Sequence, residues 1–411
     1  MKKIILFGIV SSGVIYAGGY KIPEQSLNSM ALAGAYVAHT TGADTAYFNP
    51  ANMSFLDNKN FVESGITLAH LPQNKYNGVQ ALSAEDILPA SNKSEEENLP
   101  IPYFHFVSSD YDGFRFGLSA TVPAGLTKRW KSGVQKLFAE EFTLKVIELN
   151  PSVSYKVSDK FSLATGLRII YSEGIVKSNG FGVNMPIARD MDGDTVEFGY
   201  NLAMSYQLLS DLTLAVTYRS KIELKEEGNA KLTLADLTTN YDTSVIVPLP
   251  AALNISISKT FNNNFTLELN YEKTYWSAYK TLDFKYNSPL PDMLVSAFDA
   301  PKTKLWEDTN TLRVGLSWDI NSNTTLMLGY AYDETPIPTQ YLSYELPDND
   351  ANIFSAGIRI KQSDEFSWGI AVLYDKKDDL SISAGENANG IIGEFTDGGA
   401  VLATIGLSYK F

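Results

Sequence analysis

Thr195-Val196-Glu197-Phe198-Gly199-Tyr200-Asn201-Leu202-Ala203-Met204-Ser205-Tyr206-Gln207 is the stretch that decides the fold class of this chain. Its even positions, Val196, Phe198, Tyr200, Leu202, Met204 and Tyr206, are apolar; Thr195, Glu197, Gly199, Asn201, Ser205 and Gln207 between them are mostly polar. Successive side chains of a strand point to opposite faces, so this pattern describes a strand with one wet face and one apolar face. The same period of two runs through Leu312, Val314, Leu316 and Trp318 against Arg313, Gly315, Ser317 and Asp319. It runs again through Phe265, Leu267, Leu269 and Tyr271 against Thr266, Glu268, Asn270 and Glu272. A soluble sandwich alternates too, but its strands average about five or six residues. Here the alternation holds for about ten, which suits a tilted strand crossing a bilayer.

Outward from these segments, the connections fall into two kinds. Ser108-Ser109-Asp110-Tyr111-Asp112-Gly113, Ser158-Asp159-Lys160, Ser210-Asp211, Asn262-Asn263-Asn264, Asn321-Ser322-Asn323 and Gln362-Ser363-Asp364-Glu365 are tight polar turns. Every second connection is instead expected to be long, about 15 to 30 residues. Tight turns on one side and long loops on the other describe an up-and-down outer-membrane barrel. Fourteen strand-length segments are counted, giving an all-β, 14-stranded antiparallel transmembrane barrel over residues 59–411. Many of the 23 Tyr, 21 Phe and 5 Trp sit near strand ends (Trp276, Trp318, Tyr332, Trp368, Tyr374), where aromatic girdles mark the two interfaces. From Val401 to Phe411 every odd position is apolar and the last residue is aromatic, as in the closing strand of such barrels.

The other end of the chain reads as a separate unit. Lys2 and Lys3 precede an apolar stretch from Ile4 to Ala17 that is too short to span a bilayer; residues 1–17 have the layout of a secretory signal peptide cut after Ala17. Loss of the two lysines takes the formal charge from −14 to −16, which argues against a nucleic-acid partner. There is no cysteine, so a closed hydrogen-bond ladder must hold the fold. His39, His70 and His105 have no metal-ligand spacing and no nucleotide or redox motif is present, so no cofactor or metal is expected.

Residues 18–58 do not alternate. They are rich in small residues (Ala31, Ala33, Gly34, Ala35, Ala38, Gly42, Ala43), and composition alone leaves a lumenal plug and a periplasmic tail both open. Here a resemblance adds to the physics. Gly19-Tyr20-Lys21-Ile22-Pro23-Glu24-Gln25-Ser26, Ala33-Gly34-Ala35-Tyr36 and Tyr47-Phe48-Asn49-Pro50-Ala51 resemble the outer-membrane long-chain fatty acid and hydrocarbon transporter family of the FadL/TodX type. So do Leu149-Asn150-Pro151-Ser152-Val153-Ser154-Tyr155, Leu249-Pro250-Ala251-Ala252, and Gly329 to Asp348 with Tyr330, Asp333, Pro336, Pro338, Leu346 and Pro347. The resemblance implies a barrel plugged by an N-terminal hatch, capture of ligand at the cell surface, and lateral exit through a gap in the wall. It implies that Asn49, Pro50 and Ala51 approach an inward kink in a third strand, residues 114–122, with Gly125 as the kink glycine and Pro123 a departure from the family pattern.

A fatty acid is anionic, so its site needs a cation in a dry pocket. Lys177 and Lys302 lie nearest to the family's basic head-group positions, although Ser178 is the nominal match for the first. Tyr20 matches an aromatic residue at the start of the hatch, and Arg168 shares its face with Ala164 and Gly166, the side expected to be lumenal. Loop residues Phe181, Val183, Met185 and Ile187, a helically spaced Trp130, Val134, Leu137 and Phe138, and Leu290, Leu294 and Phe298 behind Pro289 and Pro291 supply apolar surface for binding or for a lid.

The reading is therefore a non-enzymatic outer-membrane transporter of a Gram-negative bacterium, taking up long-chain fatty acids or similar hydrophobic molecules by passive, hatch-gated diffusion with release to outer-membrane lipids. Hydrocarbon uptake within the same family is the alternative; a barrel lipase using His70 or His105 and an open polar porin are the remote ones. The partners expected are the hydrophobic ligand, membrane lipid and, during biogenesis, the barrel-assembly machinery, with the protein acting as a monomer.

Overall fold

The computed structural model describes residues 18–411; residues 1–17, expected above to be a signal peptide, lie outside the described residues. Fourteen antiparallel strands close into a barrel. They are β1 (Phe61–Leu71), β2 (Glu97–Val107), β3 (Phe114–Arg129), β4 (Glu141–Lys156), β5 (Phe161–Asn179) and β6 (Ile187–Leu209). Two interrupted strands follow, β7 (Leu212–Arg219 and Ile222–Leu234) and β8 (Leu237–Leu249 and Ala252–Phe261). The last are β9 (Phe265–Thr274), β10 (Thr309–Asn321), β11 (Thr324–Asp333), β12 (Ala351–Lys361), β13 (Phe366–Lys377) and β14 (Gly399–Lys410). β1 pairs with both β2 and β14, so no edge is left. All six tight turns stand where the polar clusters predict them. The long connections are another matter: β5 to β6 needs only residues 180–186 and β7 to β8 only Ala235 and Asp236, because these strands themselves run on past the membrane.

That extension forms a stalk, and its faces are inverted. On β6, outward Val196, Phe198, Tyr200 and Leu202 give way above to outward Asp190, Asp192 and Asp194. Charge on a lipid-facing strand is destabilising, and three successive outward aspartates place this part of the strand in water. β7 reaches the same result by geometry. Its even positions stay largely apolar throughout, but the break at Ser220-Lys221 changes which face they occupy. Below it Leu214 is exposed while Ala215 and Thr217 are buried; above it Ile222, Leu224, Ala230 and Leu232 are buried while Lys221, Glu223, Lys225 and Glu227 are exposed. β8 breaks opposite, at Pro250-Ala251, and turns its odd positions from outward Ile255 and Ile257 to inward Val247 and Leu249. The membrane section is thus apolar outside and polar inside, and the stalk is the reverse.

Residues 18–58 lie inside the membrane section. Ser26 caps α1 (Leu27–Ala31) in a reciprocal capping box with Ser29. A strip of inward glycines on β10 to β13 lets this hatch approach the wall: a Cβ at Gly315 would sit 2.8 Å from the Ala35 carbonyl, at Gly357 2.5 Å from the Ala31 methyl, and at Gly369 2.5 Å from Leu27. Polar lumen residues then fasten it. The Glu268 carboxylate accepts from the backbone N–H groups of Val37 (2.6 Å), Ala38 (2.8 Å) and His39 (2.8 Å), three charge-assisted bonds to one turn. On the periplasmic side Arg359 joins Glu63 (2.9 Å) to Asn28 (3.0 Å). Residues 75–93 and 380–396 from the first and last outer loops form a separate small sheet over the mouth.

Candidate functional site

Cavities are stacked along the barrel axis, and each is built by a different level of the wall. The outermost, about 280 Å³, lies within the stalk between Phe138, Phe142, Leu282, Phe284 and Phe298. Pro291 opens a short helix, Asp292–Leu294, continued by the wider turn Val295–Asp299; Leu290, Leu294 and Phe298 are buried along it, and the Phe298 ring lines this chamber. Arg189, at the outer end of β6, lies 4.9 Å from the centres of both the Phe284 and Phe298 rings, and its guanidinium donates to Ser178 Oγ at 3.1 Å. Lys302 lines the same space. Partial desolvation and then the charge of Arg189 push the Lys302 ammonium below its ordinary value. Neither Arg189 nor Lys302 is ion-paired among the described residues, and the acid that lines the chamber with them, Glu345, is itself held by Lys304, so together the two cations can receive an anion.

Beneath it, sharing Phe142, Leu282, Phe284, Lys304, Ser343 and Glu345 with it, is an inner chamber of only about 30 Å³. Room for about one water is no room for a hydrocarbon, so its apolar walls (Leu126, Leu144, Val176, Val245, Val247) must part to admit one. Lys304 is spoken for by Glu345, which it holds below the ordinary carboxylate range against the upward push of burial. The floor is Tyr20, buried among Trp276 (4.7 Å between ring centres), Trp306 (5.6 Å) and Tyr279 (6.3 Å), with its hydroxyl donating to the Pro248 carbonyl. Burial pushes its phenol well up. The next hatch residue, Lys21, already belongs to the cavity below, where it pairs with Glu272 beside Arg313. A wider basin of about 860 Å³ opens at the periplasmic end.

Between these levels the wall is incomplete. β2 pairs with β3 only from Phe104 to Val107, and the β3 ladder shifts register between Thr121 and Ala124, at Pro123. Above that point the β3 backbone turns to the hatch instead. The Ile22 N–H donates to Pro123 O (2.8 Å) and Gly125 N–H to Tyr20 O (2.8 Å), while Gln25 holds both the N–H (2.9 Å) and the C=O (2.8 Å) of Val122. Residues 20–25 therefore stand in for the missing neighbour strand. Pro100 and Pro102 remove two donors from the β2 side, and Ile66, Leu68 and Phe104 are exposed around the opening at lipid level. Glu97 and Arg129 (2.7 Å) close it above.

The expected residues distribute unevenly over this frame. Tyr20, Lys302 and Phe298 line the chambers, Leu294 packs behind Phe298, and Gly125 meets the hatch. Lys177 does not reach a chamber: it stands on the outward face of β5 with Glu141 (3.9 Å) and Asp190 (3.5 Å), because inward positions there are even. Its inward neighbour Ser178 holds Arg189, the cation that periodicity in β6 had hidden in a polar-looking run. Arg168 is lumenal, but it and Arg219 are both committed to Glu148. Phe181 is exposed at the stalk tip. The third strand runs on to Arg129 rather than ending at 122. The hydrogen bonds of Asn49, Pro50 and Ala51 run within the hatch and to the fifth strand: Asn49 accepts from the Ala51 N–H (3.2 Å), Pro50 begins the short helix Pro50–Phe55, the Asn49 amide donates to Val37 O (2.8 Å), and Ser162 Oγ donates to Ala51 O (2.7 Å). His105 is spent on Gln25 O (2.8 Å) and Ser119 (3.0 Å) beneath the hatch.

The model of the family described as outer membrane protein transport protein (OMPP1/FadL/TodX) matches residues 8–411. The chain is similar to a long-chain fatty acid transport protein of Escherichia coli, 24% identical over 96% of this chain and 95% of that one. In structure it is similar to a Pseudomonas aeruginosa FadL homologue (TM-score 0.80, 22% identity, 96% of this chain and 99% of that one). It is also similar to the toluene transporter TodX of P. putida (TM-score 0.72, 17% identity, 94% and 98%).

Proposed function

Because this chain belongs to the outer membrane protein transport family OMPP1/FadL/TodX, we propose that it takes up long-chain fatty acids or similar hydrophobic molecules across the outer membrane. It is an outer-membrane protein. The observation that carries the reading is the continuity from an aromatic chamber with two uncommitted cations, through an apolar chamber floored by Tyr20, to a wall opening closed by the hatch residues next to Tyr20. Ligand that displaces Tyr20 pulls on the segment that fills the gap. An apolar solute gains nothing by entering periplasmic water, whereas the bilayer accepts it, so release is lateral and runs downhill without coupled chemistry. Residues 18–58 act as the hatch, residues 59–411 as the barrel, and the protein works as a monomer, without catalysis, after insertion by the barrel-assembly machinery.

The test is saturable binding of radiolabelled oleate and of toluene to the detergent-purified protein. Oleate binding that weakens when Arg189 and Lys302 are neutralised supports the fatty-acid form of the reading. Toluene binding alone, indifferent to both, moves the substrate to neutral hydrocarbons. Binding of neither removes the proposal.

A further inference from the structure

The apolar row that β7 turns inward has one exception. Ile222, Leu224, Ala230 and Leu232 are buried as the row requires, and between them stands Glu226, 5% exposed and opposite Val245. It lines the inner chamber. Its one hydrogen-bond partner is the Ser172 hydroxyl, which donates to Oε1 at 2.6 Å, and among the described residues no basic group is ion-paired with it. The other oxygen lies over Gly174, where any side chain would collide with it. Burial with no cation raises this carboxyl to about 7, so above that pH it is an anion in an apolar wall, and a head-group carboxylate arriving beside it would add a second like charge. The chamber's one lysine, Lys304, is already engaged by Glu345 and donates to Ser343 (3.1 Å). The inner chamber therefore carries Glu226 without an ion-pair partner, and the outer one carries Arg189 and Lys302 without one, while the boundary they share holds Phe142, Leu282, Phe284 and the mutually paired Lys304 and Glu345.

We propose that Glu226 is a specificity-determining residue that bars anionic head groups from the inner chamber, so that an amphipathic anion enters tail first and leaves its carboxylate with Arg189 and Lys302. This rests on the uptake of hydrophobic molecules set out above. Neutral hydrocarbons pass the same point without discrimination, which lets one chamber serve both ligand classes.

Trp306 lines the inner chamber and reports which end of a ligand arrives there. The experiment, run at pH 8 so that Glu226 is ionised, is quenching of its fluorescence by stearate carrying a doxyl label at carbon 16 or at carbon 5, with Trp306→Phe as the background and native-like heat-modifiable migration as the folding control. The native protein is expected to show at least twofold stronger quenching by the 16-label, falling to near parity in Glu226→Gln. Saturable binding with equal quenching by both labels, or a preference unchanged in Glu226→Gln, overturns the role of Glu226 while leaving uptake standing. Absence of saturable binding by either probe overturns both.

Discussion

Leu214 and Leu224 stand on the same strand, at the same parity, in the same apolar row, yet one faces lipid and the other faces the inside of the stalk. Between them lies the break at Ser220-Lys221, answered on β8 by Pro250-Ala251. Below the break the wall solves a membrane problem, and its lumen can be polar because a hatch fills it. Above the break the same alternation builds a dry interior in water, which is what a hydrophobic ligand needs at a cell surface. The difference teaches why the proposed ligand site belongs where the strands outgrow the bilayer, with residues 18–58 as the joint between the two regimes.

The strongest way to break this comparison is to unfasten the joint. Glu268→Ala removes three charge-assisted bonds at about 1.5 kcal/mol each and leaves the N–H groups of residues 37–39 unpaired, so the hatch should unseat at a cost of about 4 kcal/mol or more. Planar-bilayer recordings should then show ion conductance several-fold above the native protein. Unchanged conductance would mean that the glycine strip alone holds the hatch. The next effect is on the faces themselves. Leu214→Lys should destabilise the barrel in vesicles by about 2–4 kcal/mol, whereas Glu223→Leu, on the outward face of the stalk, should stay within about 0.5 kcal/mol. Urea titrations giving equal costs would contradict the inversion.

Smaller effects sharpen the ligand side. Neutralising Arg189 and Lys302 together (Arg189→Gln, Lys302→Gln) should weaken oleate binding about tenfold, close to 1.4 kcal/mol, and leave toluene unchanged in a direct binding assay. Smallest is a pH effect on the hatch. Burial, and for Asp44 also the neighbouring Glu63, raises Glu24 and Asp44 to about 7. A carboxyl whose docked pKa is raised favours docking fully below the ordinary carboxylate range and loses that contribution as pH rises through about 7. Conductance should therefore rise modestly between pH 5 and pH 8; a fall would reverse the sign.

Strand chemistry was legible because lipid and water impose a strict period of two, and the tight turns announced themselves through Asn, Asp, Ser and Gly. Lys177 was misplaced for the same reason: one residue of offset moves a side chain through the wall. The two short outer connections were not legible, because Asp190, Asp192 and Asp194 read equally as loop or as strand in water. Nor was the inversion in β7, since its even positions stay largely apolar on both sides and only the backbone at Ser220-Lys221 turns them. Asn49-Pro50-Ala51 showed its local chemistry, an Asn cap followed by Pro, but the segment that meets the kink is 20–25, and that contact joins residues too distant in the chain for any local pattern to mark.

The central claim, that ligand leaves through the wall opening when residues 20–25 release β3, is tested most directly by locking them together. Lys21 and Ala124 face each other in an antiparallel bridge, and the chain has no cysteine of its own, so Lys21→Cys with Ala124→Cys introduces the only possible disulfide. Uptake of radiolabelled oleate by cells should stop in the oxidised protein while surface binding persists, and return on reduction, with each single cysteine variant behaving alike in both states. Uptake that continues at the native rate with the disulfide formed would contradict the account.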